Sequence, residues 1–149
     1  SKRLFGGVSG QGGGIYRSED GGESWKHVFT NENFVWNVHV TPAGEVYGTG
    51  RQLWRSTDHG NTWKQLTNFP EDRSILGLEV HPKEPGTLWI SATTWDSTTN
   101  GAVYKSTDHG ATWRDITGNL PCVKPQVLRF NPATGELWAG HVGLFKLRQ

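Results

Sequence analysis

The sequence predicts an all-β protein made of β-propeller blades, each with four antiparallel strands. A short Gly- and Trp-containing segment occurs three times in the 149 residues, as RSEDGGESWKHV, RSTDHGNTWKQL and KSTDHGATWRDI. The shared Ser of these copies recurs at intervals of 38 and 50 residues, and repeats of about 20–50 residues are typical of solenoids and propellers. No window shows the sustained apolar spacing of an amphipathic helix, so a helical repeat is a poor alternative.

Each strand of the repeat, which we call A to D, has its own signal. Strand A alternates apolar and polar residues and ends at Pro in NVHVTP, GLEVHP and VLRFNP. Strands B and C flank a loop of variable length, and EVYGTGRQLWRSTD has counterparts in every other copy, including ELWAGHVGLFKLRQ at the end. Strand D begins after the turn that contains the repeated Ser and Gly residues. In the second copy these strands are predicted at Val35–Val40, Glu45–Gly48, Leu53–Ser56 and Thr62–Leu66.

The copies divide the chain into about three and a half to four blades of a single domain spanning residues 1–149. The predicted blades cover residues 1–30, 31–68, 69–118 and 119–149. The first lacks strand A and the last lacks strand D. In a propeller, strand A lines the central channel, and the D–A and B–C loops share the face opposite the C–D turns.

The C–D turns share the pattern Ser-x-Asp-x-Gly-x-x-Trp, to which we assign a structural role. Ser and Asp side chains form hydrogen bonds to the backbone of their own turn, Gly accepts a positive φ, and Trp covers the turn. Aromatic residues at repeat positions are accordingly assigned to the core. The pattern consists of Ser18, Asp20, Gly22, Trp25, Ser56, Asp58, Gly60, Trp63, Ser106, Asp108, Gly110 and Trp113.

Composition narrows the function classes. Fifteen Lys and Arg residues against 14 Asp and Glu give a formal charge of +1, which argues against a nucleic-acid or membrane partner. His39, His59, His81 and His109 do not have zinc-ligand spacing, and a single Cys cannot form a cysteine metal cluster, so we expect neither a metal nor a cofactor. Cys122 is the single cysteine and does not define the compartment.

The box pattern resembles the Asp-box, or BNR repeat, of sialidases, family 74 glycoside hydrolases, sortilin-type receptor domains and photosystem assembly propellers. The segment GTLWISATT…GAVYKSTDHGATWRDITGNLP is most similar to blades of family 74, the xyloglucan-active enzymes. The resemblance implies a propeller fold, a secreted or periplasmic location, and boxes lying away from the active site. Sialidases carry an early Arg-Ile-Pro segment that is missing here, and no residue matches the catalytic Asp that family 74 places in each of two seven-bladed propellers.

Ligand-binding candidates are the residues that the repeat does not explain. Trp36 begins strand A, and Trp95 lies in the longest B–C loop, so both are expected at one mouth of the channel. Aromatic planes beside polar side chains suit sugar rings, although Trp36 packing between blades and Trp95 pinning its loop remain the alternative. The polar candidates on this face are Asn37, Arg51, Arg73 and His141. Asp72 and Asp96 come from neighbouring loops of this face and are the only pair that we name as candidate carboxylates for hydrolysis of a glycosidic bond, with solvated loop acids as the alternative.

These observations favour a non-catalytic scaffold or binding module for carbohydrate or protein. The alternative is a fragment or relative of a glycoside hydrolase that acts on a polysaccharide such as xyloglucan. An open arc of blades exposes apolar faces and strand edges. The chain could close alone, pair with a second copy, or be a piece whose partner blades lie on a separate chain or were cut away. We expect association, most simply a homo-oligomer.

Overall fold

The computed structural model describes residues 2–71, 73–95, 101–121, 124–141 and 143–147. Fourteen strands and no helix occur in these residues. The strands are β1 Leu4–Val8, β2 Gly14–Ser18, β3 Lys26–Phe29, β4 Asn37–Val40, β5 Val46–Thr49, β6 Leu53–Ser56, β7 Lys64–Gln65, β8 Arg73–Val80, β9 Leu88–Thr94, β10 Ala102–Ser106, β11 Arg114–Asp115, β12 Val127–Asn131, β13 Glu136–Gly140 and β14 Leu144–Leu147.

The strands form four antiparallel sheets in which neighbours along the chain are neighbours in the sheet. The sheets have the orders β1-β2-β3, β4-β5-β6-β7, β8-β9-β10-β11 and β12-β13-β14, and we call them the first to fourth blades. Among the described strands, the first blade has strands B to D and the fourth has A to C, as predicted. All three Asp-boxes lie in C–D hairpins. The predicted fold class, a partial propeller of about three and a half to four blades, is confirmed.

The chain forms two compact units, Ser1–Asn68 and Phe69–Gln149, with two blades each. In the first unit, Ile15, Phe29 and Val35 form a core onto which Trp54 and Trp63 pack. The core of the second unit contains Trp89, Val103, Leu120, Leu128, Leu137, Ala139 and Leu147. In both units the apolar side chains of one blade fill the face of the next, which is how separate small sheets obtain a shared core.

Predicted strand bounds and one predicted core residue need correction. Strand D of the second blade is only Lys64–Gln65, because the backbone N–H of Thr62 donates to Asp58 and still belongs to the turn. Strand A begins at Asn37 rather than Val35. The assignment of every repeat aromatic to the core is also wrong at Trp25, which is 46% exposed.

Candidate functional site

The Asp-boxes form a closed hydrogen-bond network that uses both oxygens of each aspartate. In the second blade, Ser56 Oγ donates to Asp58 Oδ1 (2.8 Å) and accepts from the N–H of Gly60 (2.7 Å). Thr62 then donates its N–H to Oδ1 of Asp58 (2.8 Å) and its hydroxyl to Oδ2 (2.6 Å). The first and third boxes repeat this arrangement.

These hydrogen bonds determine the chemistry of the box carboxylates. The side-chain and backbone hydrogen bonds from Ser24 and Thr62 hold the pKa of Asp20 and Asp58 well below the usual range, and bonds from Thr112 lower the pKa of Asp108 to about 2. A carboxylate that stays ionised and has both oxygens occupied is a poor general acid or base. The box hydrogen bonds therefore support the structure of the turn.

An exposed aromatic pair lies on the segment that enters the second blade. The rings of Phe34 and Trp36 stack with their centroids 5.9 Å apart and their planes 21° from parallel. Their side chains are 45% and 40% exposed, although the N–H of Trp36 is tied to the sheet through Thr49 O at 2.7 Å. The backbone is thus held by the sheet while two aromatic rings face solvent, which is an arrangement suited to stacking against a ligand.

Glu32 holds the β5–β6 loop next to this aromatic pair. The carboxylate of Glu32 accepts hydrogen bonds from the backbone N–H groups of Arg51 (2.5 Å) and Gln52 (2.9 Å) and from Trp54 Nε1 (2.7 Å). Gly50 is required at the contact, since a Cβ there would lie 1.9 Å from a Glu32 oxygen. The β5–β6 loop is therefore held against the segment that carries Phe34.

An open cavity of about 230 Å³ lies between this loop and the aromatic segment, lined by Asn31, Glu32, Asn33, Phe34 and Arg51. Arg51 and the two asparagines among the lining residues are exposed, and their side chains carry hydrogen-bond donors. We call Phe34, Trp36, Arg51 and this cavity the aromatic platform. Of the sequence candidates in the first unit, Trp36 and Arg51 lie here, and Asn37 is half-buried in β4, opposite Thr49.

A second exposed tryptophan lies in the second unit at the end of β9. Trp95 is 55% exposed, and its Nε1 donates to Ser74 Oγ at 3.2 Å. Lys124 Nζ lies 5.8 Å from the centroid of the Trp95 ring and donates to the Trp95 carbonyl at 3.3 Å. Arg73 pairs with Thr94 in the ladder, so it lies at the same end of the third blade.

The remaining sequence candidates are not placed at the aromatic platform or beside Trp95. His141 is exposed in the β13–β14 hairpin, where its N–H donates to Gly143 O at 3.1 Å. Asp72 and Asp96, the proposed carboxylate pair, lie outside the described residues. The sequence analysis did not select Phe34, Glu32 or Lys124. For Phe34, the available sequence signal was its position two residues before Trp36, which gives two aromatic residues on the same segment.

Glu79 is a carboxyl group whose pKa lies above its usual range. Burial raises its pKa, and this effect outweighs the hydrogen bond from Phe130 and the charge of Arg129, which act in the opposite direction. A raised pKa is a property of general acids. Arg129 Nη1 lies 3.5 Å from Glu79 Oε2, and the two residues come from neighbouring blades. We therefore assign this pair to the contact between the third and fourth blades.

The described part of the chain contains no group of three or more His, Cys, Asp or Glu side chains arranged to hold a metal ion. No helix within it has the length and apolar character needed to cross a membrane.

Comparison with known proteins supports the propeller relationship. Residues 13–124 match the model of the Sortilin-Vps10 family, described as sortilin, neurotensin receptor 3. No curated protein matches the chain in sequence.

Solved structures extend the match to nearly the whole chain. The GH74 xyloglucanase of Xanthomonas campestris has a TM-score of 0.82 at 20% identity, over 98% of this chain and 25% of its own. The GH74 enzyme of Niastella koreensis has a TM-score of 0.77 at 19% identity, over 98% of this chain and 27% of its own. A variant of the NanB sialidase of Streptococcus pneumoniae has a TM-score of 0.55 at 17% identity, over 89% and 25% of the two chains. The chain thus spans about a quarter of each structure, and the likeness is one of fold.

Proposed function

The chain belongs to the Sortilin-Vps10 family, related in fold to GH74 and sialidase propellers, and on this premise we propose that it is a non-catalytic module that binds oligosaccharides. The observation that carries the proposal is the aromatic platform. Phe34 and Trp36 keep a stacked, exposed apolar surface, and Phe34 shares a cavity lining with Arg51. A contiguous exposed apolar patch with polar residues at its edge is typical of a ligand-binding or interaction site.

The chemistry of the platform fits a sugar ring. The CH face of a pyranose packs on an aromatic plane, and its hydroxyl oxygens accept hydrogen bonds from Arg and Asn donors. The resemblance to a xyloglucanase makes xyloglucan oligosaccharides the first ligands to test. Trp95, Arg73 and Lys124 are proposed as a second contact of the same kind, with Asn37 and His141 as peripheral candidates.

The first test is a titration of xyloglucan oligosaccharides into the protein, followed by tryptophan fluorescence. We expect Trp36→Ala and Arg51→Ala each to weaken binding at least tenfold, because a stacking or charged hydrogen-bonding contact contributes about 1.5 kcal/mol or more. Trp25→Ala is the matched control, since it removes an equally exposed tryptophan outside the platform. Equal affinity of Trp36→Ala and the unsubstituted protein would refute the assignment of the platform.

The second candidate is a fragment or relative of a glycoside hydrolase. The likeness to two GH74 enzymes favours it. In that case Asp72 and Asp96 are the carboxylates to test, and release of reducing ends from xyloglucan would be lost in Asp72→Asn and Asp96→Asn. Reducing-end release by a purified protein that survives both substitutions would exclude this pair.

We also propose that the module is completed by self-association. The described part of the first and fourth blades has three strands each, whereas the second and third have four. Edge strands with unpaired backbone groups favour pairing or covering by another chain.

A further inference from the structure

The turn between strands A and B is capped from the same position in the second, third and fourth blades. The capping residue stands directly before the Pro that ends strand A, and it is Thr41, His81 or Asn131. Thr41 Oγ1 accepts the N–H of Glu45 at 3.1 Å, and Asn131 Oδ1 accepts the N–H of Ala133 at 3.0 Å. Polar side chains cap such turns because they satisfy backbone donors that no strand pairs. The third blade uses a histidine where the other two use a hydroxyl or an amide.

His81 can cap its turn only as a neutral imidazole. Its Nδ1 accepts the backbone N–H groups of Glu84 at 2.9 Å and of Lys83 at 3.2 Å. An accepting ring nitrogen has a free lone pair, so the proton of the neutral ring is on Nε2. A second proton, taken from solvent, bonds to Nδ1 and turns it into a donor that faces two other donors. Protonation of His81 therefore removes both hydrogen bonds, whereas the hydroxyl and amide caps of the other blades do not change charge.

The same imidazole ring is part of the contact between the third and fourth blades, which belong to one compact unit. Its centroid lies 4.6 Å from that of Phe130 in β12 and 6.0 Å from that of Trp89 in β9. The rings of Trp89 and Phe130 stack with their centroids 4.9 Å apart. His81 is half-buried and Trp89 is fully buried. The side chain that closes the turn is thus also packed against the next blade.

The charged groups around the ring come from the turn, the Asp-box and the neighbouring strands. They are Lys83, Glu84, Asp108, His109, Glu79, Lys105 and Arg129. On the turn, the carboxylate of Glu84 accepts the hydroxyl of Thr87 at 3.4 Å. In the box, both oxygens of Asp108 accept hydrogen bonds from the box itself, and a Cβ added to Gly86 would lie 3.2 Å from His109 Nε2. These two acids are engaged with other donors, and His109 adds a positive charge beside the turn when it is protonated.

The strands place both signs of charge near the ring. Lys105 Nζ lies 5.4 Å from the centroid of Trp89, so the aromatic stack already has one cation. Glu79 stands two residues before His81, has Arg129 Nη1 3.5 Å from its Oε2, and has a pKa that burial raises. An acid with a raised pKa contributes stability at low pH that is lost as pH rises, which is opposite in sign to the loss of the His81 cap. A comparison between proteins that all keep Glu79 removes this contribution.

We infer that the A–B turn of the third blade is an acid-sensitive element, which neutral His81 closes and which protonation of His81 opens, so that the packing against Phe130 loosens. The stabilisation by the neutral cap is present above the range in which imidazole titrates and is lost as pH falls through that range. The inference does not depend on oligosaccharide binding or on self-association, because every contact that it uses lies within the second unit.

The first test is denaturant unfolding between about pH 8 and about pH 5, where histidine changes charge. His81→Asn supplies a cap that cannot titrate, as in the fourth blade. We expect the unfolding equilibrium constant of the unsubstituted protein, divided by that of His81→Asn, to rise about fivefold toward the acidic end, because the cap hydrogen bonds are lost. His141→Asn is the matched control, since it removes an exposed histidine of the β13–β14 hairpin and should retain the original pH dependence. A ratio that stays constant within about twofold overturns the inference.

A second test follows the turn in the unsubstituted protein and needs no variant. The backbone amide signals of Lys83 and Glu84 are recorded by NMR over the same pH range. We expect both signals to shift together with the titration of the His81 ring, while the amide of Ala133, which has an uncharged cap, does not follow it. Amide signals of Lys83 and Glu84 that stay fixed while the ring titrates, or a His81 ring that stays neutral down to about pH 5, would rule out the acid-sensitive turn.

Discussion

At the scale of single residues, the box aspartates link stability to pH. Their hydrogen bonds are made to the ionised form, so the folded pKa lies below the ordinary value of about 3.9. Their stabilising contribution is therefore fully present above about pH 4 and is lost as pH falls toward and through the folded pKa, which for Asp108 is about 2.

We expect Asp58→Asn to be less stable than the unsubstituted protein at pH 7 and to show a shallower loss of stability between about pH 4 and pH 2. The measurement is denaturant unfolding across that pH series. Glu23→Gln, which neutralises an exposed acid in the first box segment, should retain the original slope. A slope unchanged in Asp58→Asn would mean that the box carboxylate is not stabilised as described.

The box histidines hold a conformation that is costly for a residue with a side chain. His59 and His109 have φ values of 59° and 58°, whereas the first box has Gly21 at this position. The ring of His59 lies against Gly44 of the A–B turn, where an added Cβ would be 2.6 Å from Cε1. The first blade has no A–B turn among its described strands, so a ring there would have no turn to cover.

Both His59→Ala and His59→Gly lose this ring contact, but only glycine also relieves the left-handed backbone. We expect the glycine variant to be more stable than the alanine variant by about 1 kcal/mol in denaturant unfolding. The neighbouring exposed Thr57 lacks a positive φ and should give the opposite order for the same two substitutions. Alanine as the more stable residue at position 59 would argue against the conformation described.

At the scale of the blades, close approach between sheets depends on a glycine whose role differs between copies. We expect Gly48→Ala to lower the free energy of unfolding by about 1–3 kcal/mol, because its methyl group would overlap the fully buried Ile15. Gly6→Ala occupies the equivalent register position, where the added Cβ would meet the Trp25 ring at an ordinary van der Waals distance of 3.6 Å, and it should change stability by less than about 0.5 kcal/mol. Similar losses in the two variants, measured by denaturant unfolding, would contradict the blade contact.

The sequence predicted the number and order of strands because each blade carries its own local signals, such as the Pro that ends strand A and the box that joins C to D. It did not predict the short strand D, since the reach of the Asp58 hydrogen bonds to Thr62 is a property of the folded turn. It selected Trp36 and Arg51 as candidates, which stay predictions, but not Glu32, because an acid that accepts hydrogen bonds from a loop 19 residues away has no sequence pattern.

At the scale of the whole molecule, exposed aromatic residues occur on more than one surface of the first unit. The aromatic platform lies on the segment leading into strand A of the second blade, whereas Trp25 lies on the first blade at a cavity beside its Asp-box. Trp25 was expected in the core because the sequence shows which face a residue occupies without showing what covers that face. Its exposure differs from that of Trp63, which is half-buried at the equivalent position of the second blade.

The most direct test of the central claim is binding without turnover. A xyloglucan oligosaccharide is titrated into the protein in a calorimeter. The oligosaccharide is then recovered after prolonged incubation, and its mass is measured by mass spectrometry. The account predicts saturable binding that is weakened at least tenfold in Trp36→Ala, with the oligosaccharide recovered at its original mass. Shortened oligosaccharides, or binding that is unaffected by Trp36→Ala, would contradict it.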